Sequence, residues 1–129
     1  MTQEQKNLLL QDLCARLPYN VKIKIKTYED IDEIDSIGTL CQLNKQYFWI
    51  LEDEYERCIE YNKPYLFPLS SMTEEQTEEL IKLINTGQND NNEFMRSLCR
   101  IEFYHKHHFD YRGLIPLGLA IDATGLNIY

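Results

Sequence analysis

No apolar run in this 129-residue sequence approaches the roughly 20 residues that cross a bilayer. The longest, Tyr47–Leu51 and Leu114–Ile121, are short, and the second is broken by Pro116 and Gly118. No membrane anchor is expected. The opening residues MTQEQKN lack a basic segment followed by an apolar one, so no secretory signal is expected and the compartment reads as cytoplasmic. Basic residues are also in short supply: 13 Lys and Arg stand against 21 Asp and Glu, a net charge of −8. A general nucleic-acid coat protein would carry a basic face, so direct nucleic-acid binding is not expected.

Other signatures are missing as well. The four cysteines, Cys14, Cys41, Cys58 and Cys99, are far apart and form neither C-x-x-C nor zinc-ribbon spacing. In a reducing compartment they read as four reduced, mostly buried thiols. There is no Walker A loop, no G-x-G-x-x-G, no G-x-S-x-G elbow and no H-E-x-x-H. The acidic segments do not follow the D-x-D-x-D-G spacing of a calcium loop. No cofactor and no bound metal are expected from these motifs.

What is present reads as one domain, residues 1–129. With 43% apolar and 12% aromatic residues the composition is that of a folded protein, not of a disordered or collagenous chain. A chain this long buries roughly two-thirds of its unfolded surface and needs no disulfide or metal to fold.

The elements follow from periodicity. Thr2 and Gln5 have capping-box spacing. Leu10, Leu13, Cys14 and Leu17 form a helical stripe, and Pro18 stops the helix near Arg16. Val21–Lys26 alternates strictly, a half-buried strand whose lysine face suits a sheet edge. Residues 28–36 read as a turn leading into a strand, with Gly38 a bulge or a tight approach. Thr39–Leu43 and Tyr47–Leu51 form a hairpin around Asn44-Lys45-Gln46, with Trp49 as a core anchor. Pro64–Leu69 is extended, and its two prolines place it at an edge or over the core.

A second capping box, Thr73 with Gln76, opens a helix with inner stripe Thr77, Leu80, Ile81 and Ile84, stopped by Gly87. Asn91 or Asn92 caps a third helix running to about Lys106. Its stripe is Phe94, Leu98, Ile101, His105 and His108. The remaining segment wraps over the core, with a short turn at Leu114–Ala120. The expected fold class is α+β, about three helices packed on a small, mainly antiparallel sheet, because their apolar faces need each other for cover.

Two clusters are candidates for function. Residues 27–60 hold ten acidic and two basic side chains, so the excess negative charge gathers at Asp32–Asp35 and Glu52–Glu56. Such a run is a solvated face, a surface for a basic partner, or an imitation of DNA. All three histidines lie at His105, His107 and His108, with Asp110, Tyr111 and Arg112 just beyond. His105 and His108 share a helix face, and Glu102 with His105 makes one Glu-x-x-His pair, half of a di-iron set. Histidine also suits a helix C-terminus, and Asp110 with Arg112 can form a local ion pair before Gly113.

Two strings, Lys63–Glu75 (KPYLFPLSSMTEE) and His107–Ile115 (HHFDYRGLI), followed by Gly118-Leu-Ala120, resemble an uncharacterised family of short proteins. That family is encoded by gut bacteria and their phages and mobile elements, and has no established activity. The matching blocks cover about a fifth of the chain. This sequence departs from the family at Phe67, where the family has a basic residue, and at Pro116-Leu117, where it has a charged pair. The resemblance implies a cytoplasmic accessory protein of phage or mobile-element origin.

The leading expectation is a non-enzymatic interaction protein with a protein partner, docking through His107, His108, Asp110, Tyr111 and Arg112, or through the acidic patch. One alternative is a small metal-dependent hydrolase or nuclease using His105, His108 and Asp110 with Glu102, ligand types that suit zinc or manganese. Another is an acidic DNA mimic. The oligomeric state is left open.

Overall fold

The computed structural model describes residues 1–29, 32–51, 57–58, 62–86 and 93–129, with residues 26–29, 32–34 and 86 described by their backbone alone. Gly87, Asn91, Asn92 and Glu52–Glu56 lie outside the described residues. Among the described residues there are three helices, α1 (Gln3–Arg16), α2 (Glu74–Thr86) and α3 (Glu93–Lys106). Seven strands accompany them: β1 (Lys22–Glu29), β2 (Asp32–Leu43), β3 (Tyr47–Ile50), β4 (Arg57–Cys58), β5 (Lys63–Pro68), β6 (Phe109–Asp110) and β7 (Ile121–Asp122). The order in the sheet is β4-β3-β2-β1-β5-β6, with β7 also on β5. Pairing is antiparallel from β4 through β5, and parallel for β5 with β6 and with β7. The class is α+β, as the periodicities indicate.

α1 starts where its capping box says it should. Thr2 Oγ1 accepts from Gln5 N at 3.1 Å, and Gln5 Oε1 accepts from Thr2 N at 3.0 Å. Its buried face is Leu9, Asp12, Leu13 and Arg16, one residue behind the apolar stripe. Leu10 and Leu17 are half-buried and Cys14 is exposed. The displacement has a cause: Asp12 and Arg16, four apart, pair with each other and enter the interior as a unit.

β1 is not an edge strand. It pairs along its whole length with β2 and at Ile23 and Lys24 with β5. Ile23 and Ile25 are buried on one face; on the other, Lys24 Nζ meets Asp35 Oδ2 at 2.9 Å and Lys22 Nζ donates to Thr39 Oγ1 at 2.6 Å. The lysine row thus serves cross-strand pairing.

The β2–β3 hairpin forms as expected, with a register shift between Leu40 and Gln42. Asn44 Oδ1 accepts from Gln46 N and Tyr47 N and shapes the turn. In β3, Phe48 and Ile50 go into the core and Trp49 stays half-buried. Side chains alternate along a strand, so Trp49 cannot share the face of Phe48 and Ile50.

Gly38 is the tight approach. A Cβ there would press on Ile50 Cγ2 and sit 2.7 Å from Ile25 Cδ1. The two isoleucines from the strands on either side close over the bare Cα.

β5 is the hub of the sheet, against the expectation of an edge. Residues 63–64 pair with β1, Tyr65 and Leu66 with β7, and Phe67 and Pro68 with β6. Its prolines stand second and last, where few backbone donors are required.

α1 covers the sheet through Leu9 and Leu13 against Val21, Ile23, Phe48 and Leu66. A second apolar cluster, Leu80, Phe103 and Phe109 with Phe67, Met72 and Ile84, seats the α2–α3 pair at the β5–β6 end. Burying each such side chain is worth about 1.5–3 kcal/mol.

The cysteines differ from expectation. Cys14, Cys41 and Cys58 are exposed, Cys99 is half-buried, and all four are free thiols. No helix among the described residues is long and apolar enough to cross a membrane.

Candidate functional site

The chemistry-bearing residues converge where the end of α1 meets the turn between α3 and β6. Asp12 and Arg16 have no solvent exposure. Arg16 Nε donates to Asp12 Oδ2 at 2.7 Å, and Arg16 Nη2 donates to the carbonyl of Phe109 at 2.5 Å. Arg112 Nε approaches Asp12 Oδ1 at 3.3 Å. One carboxylate therefore faces two guanidiniums. Burial still lifts the Asp12 carboxyl above its ordinary range, with Arg16 and Arg112 pulling it back. Both guanidiniums also lie against the ring of Tyr111, at 5.4 Å for Arg16 and 5.1 Å for Arg112.

The histidine turn is drawn into this cluster. His105 is buried, with Nε2 2.7 Å from Tyr111 Oη and its ring beside Tyr19. Burial, reinforced by Arg16 and Arg112, pushes its pKa down to about 4. His108 has φ +61°, a left-handed turn that reverses the chain from α3 into β6. Its N–H donates to His105 O, and its own carbonyl accepts from Phe67 N at 2.8 Å. The ring stacks on Tyr129 at 3.7 Å, and its pKa is also about 4, lowered by burial and then by Arg16, His107 and Lys22. His107 rests against Phe103 at 4.4 Å, with Nε2 3.9 Å from Glu79; burial lowers its pKa and Glu79 opposes.

Asp110 does not pair with Arg112. Its two carboxylate oxygens accept from Leu114 N and Ile115 N, both at 2.9 Å, and so organise the turn that begins at Gly113. Arg112 turns back to Asp12. The five residues His107, His108, Asp110, Tyr111 and Arg112 are thus buried or half-buried and joined to α1, α3, β5 and Tyr129.

Chemically, the cluster offers neutral imidazoles at pH 7 and charge-paired guanidiniums. His105 hydrogen-bonds a phenol, so it is no base beside a serine or cysteine. Both oxygens of Asp110 are taken by backbone donors. Glu102 is exposed while His105 is buried, so the Glu-x-x-His pair does not converge. Among the described residues no three His, Cys, Asp or Glu side chains gather as a metal-ligand set.

Sequence reasoning missed Asp12, Arg16 and Tyr129. The first two left a signal: an acid and a base four apart, interleaved with Leu9 and Leu13. Tyr129 left none.

A second feature lies on the α2–α3 pair. Phe103 faces inward, and Phe94, Leu98 and Ile101 lie on the opposite side of α3, 72%, 38% and 37% exposed. The stripe expected to be the inner face of this helix therefore looks outward, and only its end, His105 and His108, is covered, by Tyr19, Tyr111 and Tyr129. Its inward face is aromatic instead, built from Phe103 and Tyr104 against Phe109. On α2, Leu80 is buried, Ile84 is half-buried, and Thr77, Ile81 and Leu83 are exposed. Glu74, Glu75, Glu78 and Glu79 of α2 are exposed as well.

A cleft of about 210 Å³ opens between the start of α2 and residues 124–125, lined by Phe67, Phe109, Ser71, Thr73, Gln76, Thr124 and Gly125 and by no charged side chain.

No protein-family model, curated protein or solved structure matches this chain.

Proposed function

We propose that the protein is a non-enzymatic accessory protein that docks a protein partner on the outer face of the α2–α3 pair. The observation that carries this reading is the exposed apolar row Leu98–Ile101 on α3, continued by Phe94. Single exposed aliphatics are ordinary, but a row along one helix face beside further apolar residues marks an interaction surface. Exposed glutamates stand on α2 of the same pair, and a partner with an apolar centre and basic residues around it would suit them. The chain's net charge of −8 would assist the encounter. This moves the docking surface away from His107–Arg112, whose side chains are engaged within the fold.

The resemblance of Lys63–Glu75 and His107–Ile115 to a family from gut bacteria, phages and mobile elements fits the same reading: a cytoplasmic accessory factor of phage or mobile-element origin. For the metal-dependent hydrolase, no converging ligand set is found among the described residues. For the DNA mimic, the described part of the acidic patch includes Asp35, which is ion-paired to Lys24.

The test is differential capture from lysate. Wild type, Leu98→Asp/Ile101→Asp and a control at another exposed site, Leu117→Asp, serve as baits. The expected result is one saturable partner, weakened by salt, retained by L117D and held about 30-fold more weakly by the double variant, equivalent to about 2 kcal/mol. Equal capture by all three baits would refute the surface. Self-association abolished by L98D/I101D would reassign it to a homodimer and refute the partner.

A further inference from the structure

Tyr129 occupies a place in the sheet that belongs to the backbone. β1 and β5 are antiparallel, with Ile23 opposite Pro64 and Lys24 opposite Lys63. The next pair in that register is Lys22 with Tyr65. Instead of a direct rung, Lys22 N donates to Tyr129 Oη at 2.8 Å, and the Tyr129 hydroxyl donates to Tyr65 O at 2.6 Å. The phenol is an inserted rung. Its ring lies flat on His108, 3.7 Å away and tilted by 14°, and touches Phe67 at 5.8 Å. Burial pushes the Tyr129 pKa upward, against the Lys22 N–H and Arg16, which pull it down.

Between this rung and Ala123, whose N–H donates to Leu66 O, residues 124–127 are exposed and Ile128 is half-buried. Leu126 N bonds back to Ala123 O in a turn. The segment is a strap anchored at its two ends. Thr124 and Gly125 form one wall of the cleft floored by Phe67 and Phe109.

The anchor at Tyr129 leans on a titratable ring. His108 is faced by Arg16 from α1, Lys22 from β1, His107 from its own turn and Tyr129 from the strap. Among the described residues no carboxylate faces it. His108 Nδ1 is buried without a hydrogen-bond partner. A proton there adds a cation beside Arg16 and Lys22 with no counter-charge.

We propose that residues 124–129 are a strap latched by the Tyr129 rung, and that acid releases it through His108 and opens the Phe67–Phe109 cleft. The sign follows from linkage. A histidine held neutral in the latched form binds its proton more readily once released, so the latch is at full strength above about pH 6.5 and weakens as pH falls toward about 4. With 6.5 as the upper limit for the released ring, beside which Arg16, His107 and Lys22 remain, the latch equilibrium drops by at most about 30-fold at pH 5.

The experiment is NMR of the full chain at pH 7.5 and pH 5. It follows the Lys22 amide, the Tyr129 ring and residues 124–128, with Leu9 and Leu66 amides as reporters of the core. In the wild type the strap signals should move to free-chain values at pH 5 while the core signals persist. His108→Phe keeps a flat ring under Tyr129 and should hold the strap at both pH values. Tyr129→Phe removes the rung and should free it at pH 7.5. A wild-type strap still docked at pH 5 would overturn the proposal. So would release that coincides with loss of the core signals, release in H108F matching the wild type, or a docked strap in Y129F.

Discussion

At the scale of single residues, Asp12 and Arg16 carry the tightest constraint. A buried pair is neutral in net stability when both members are made apolar together, but removing one leaves an uncompensated charge. Arg16→Met should cost about 3–5 kcal/mol, because Asp12 keeps only the 3.3 Å approach of Arg112 and the carbonyl of Phe109 loses its donor. Asp12→Leu in the same chain should recover most of that loss. Urea unfolding of the two single variants and the double variant checks it, and equal losses in R16M and the double variant would contradict it. The same pair shows why the α1 face was legible only in part. The periodicity was correct, but a rule that sends apolar side chains inward and charges outward cannot foresee an acid and a base that enter as a pair. The histidine turn was ambiguous for a related reason. Crowded imidazoles resemble a metal site in one dimension, whereas in three each ring has its own partner: Tyr111, Phe103 or Tyr129.

His105 gives a pH prediction at this scale. Its folded-state pKa near 4 lies below its ordinary 6.5, so its contribution to stability is whole above pH 6.5 and fades as pH falls to about 4. His105→Phe should flatten the decline of melting temperature between pH 7 and pH 4.5, read by thermal melts. An unchanged decline would contradict a buried neutral imidazole.

At the scale of elements, boundaries set by local chemistry were the most legible. Both capping boxes form: Thr73 Oγ1 accepts from Gln76 N, and Gln76 Oε1 accepts from Thr73 N. α1 ends at Arg16, before Pro18, and α3 ends at Lys106. The hairpin turn at Asn44-Lys45-Gln46 was equally local. Neighbours in the sheet were not. Nothing along Val21–Lys26 or Pro64–Leu69 distinguishes an edge strand from an internal one, because lysines and prolines are tolerated wherever a cross-strand partner or a missing donor is accommodated. α3 shows the same limit. It has an aromatic stripe and an aliphatic stripe, and choosing between them requires knowing what lies at the sheet end. Phe109 and Phe67 are there, so the aromatic stripe turns inward. Gly38 offers a direct element-level test of the three-strand contact. Gly38→Ala should lower stability by about 1–3 kcal/mol, since Ile25 and Ile50 must both yield. A smaller effect than an exposed alanine substitution would contradict the close approach.

At the scale of the whole molecule, the layout separates structure from surface. The polar cluster joins α1, the α3–β6 turn and Tyr129, and its residues mostly face one another. The α2–α3 pair, seated by its own apolar cluster, turns an aliphatic row outward. Periodicity made the fold class readable, and composition the acidic balance. Which helix face the sheet leaves uncovered is a property of the assembled fold, and so is the docking surface proposed on it.

The most direct test of this division compares two variants, Leu98→Asp/Ile101→Asp and Arg112→Gln, by thermal melt and by partner capture on the same preparations. L98D/I101D should melt like the wild type and hold the partner about 30-fold more weakly. R112Q should melt lower, because Asp12 loses a counter-ion, and should still hold the partner at temperatures where it is folded. The reverse pattern, with binding lost in folded R112Q and retained in L98D/I101D, would return the docking surface to the histidine turn and contradict the account.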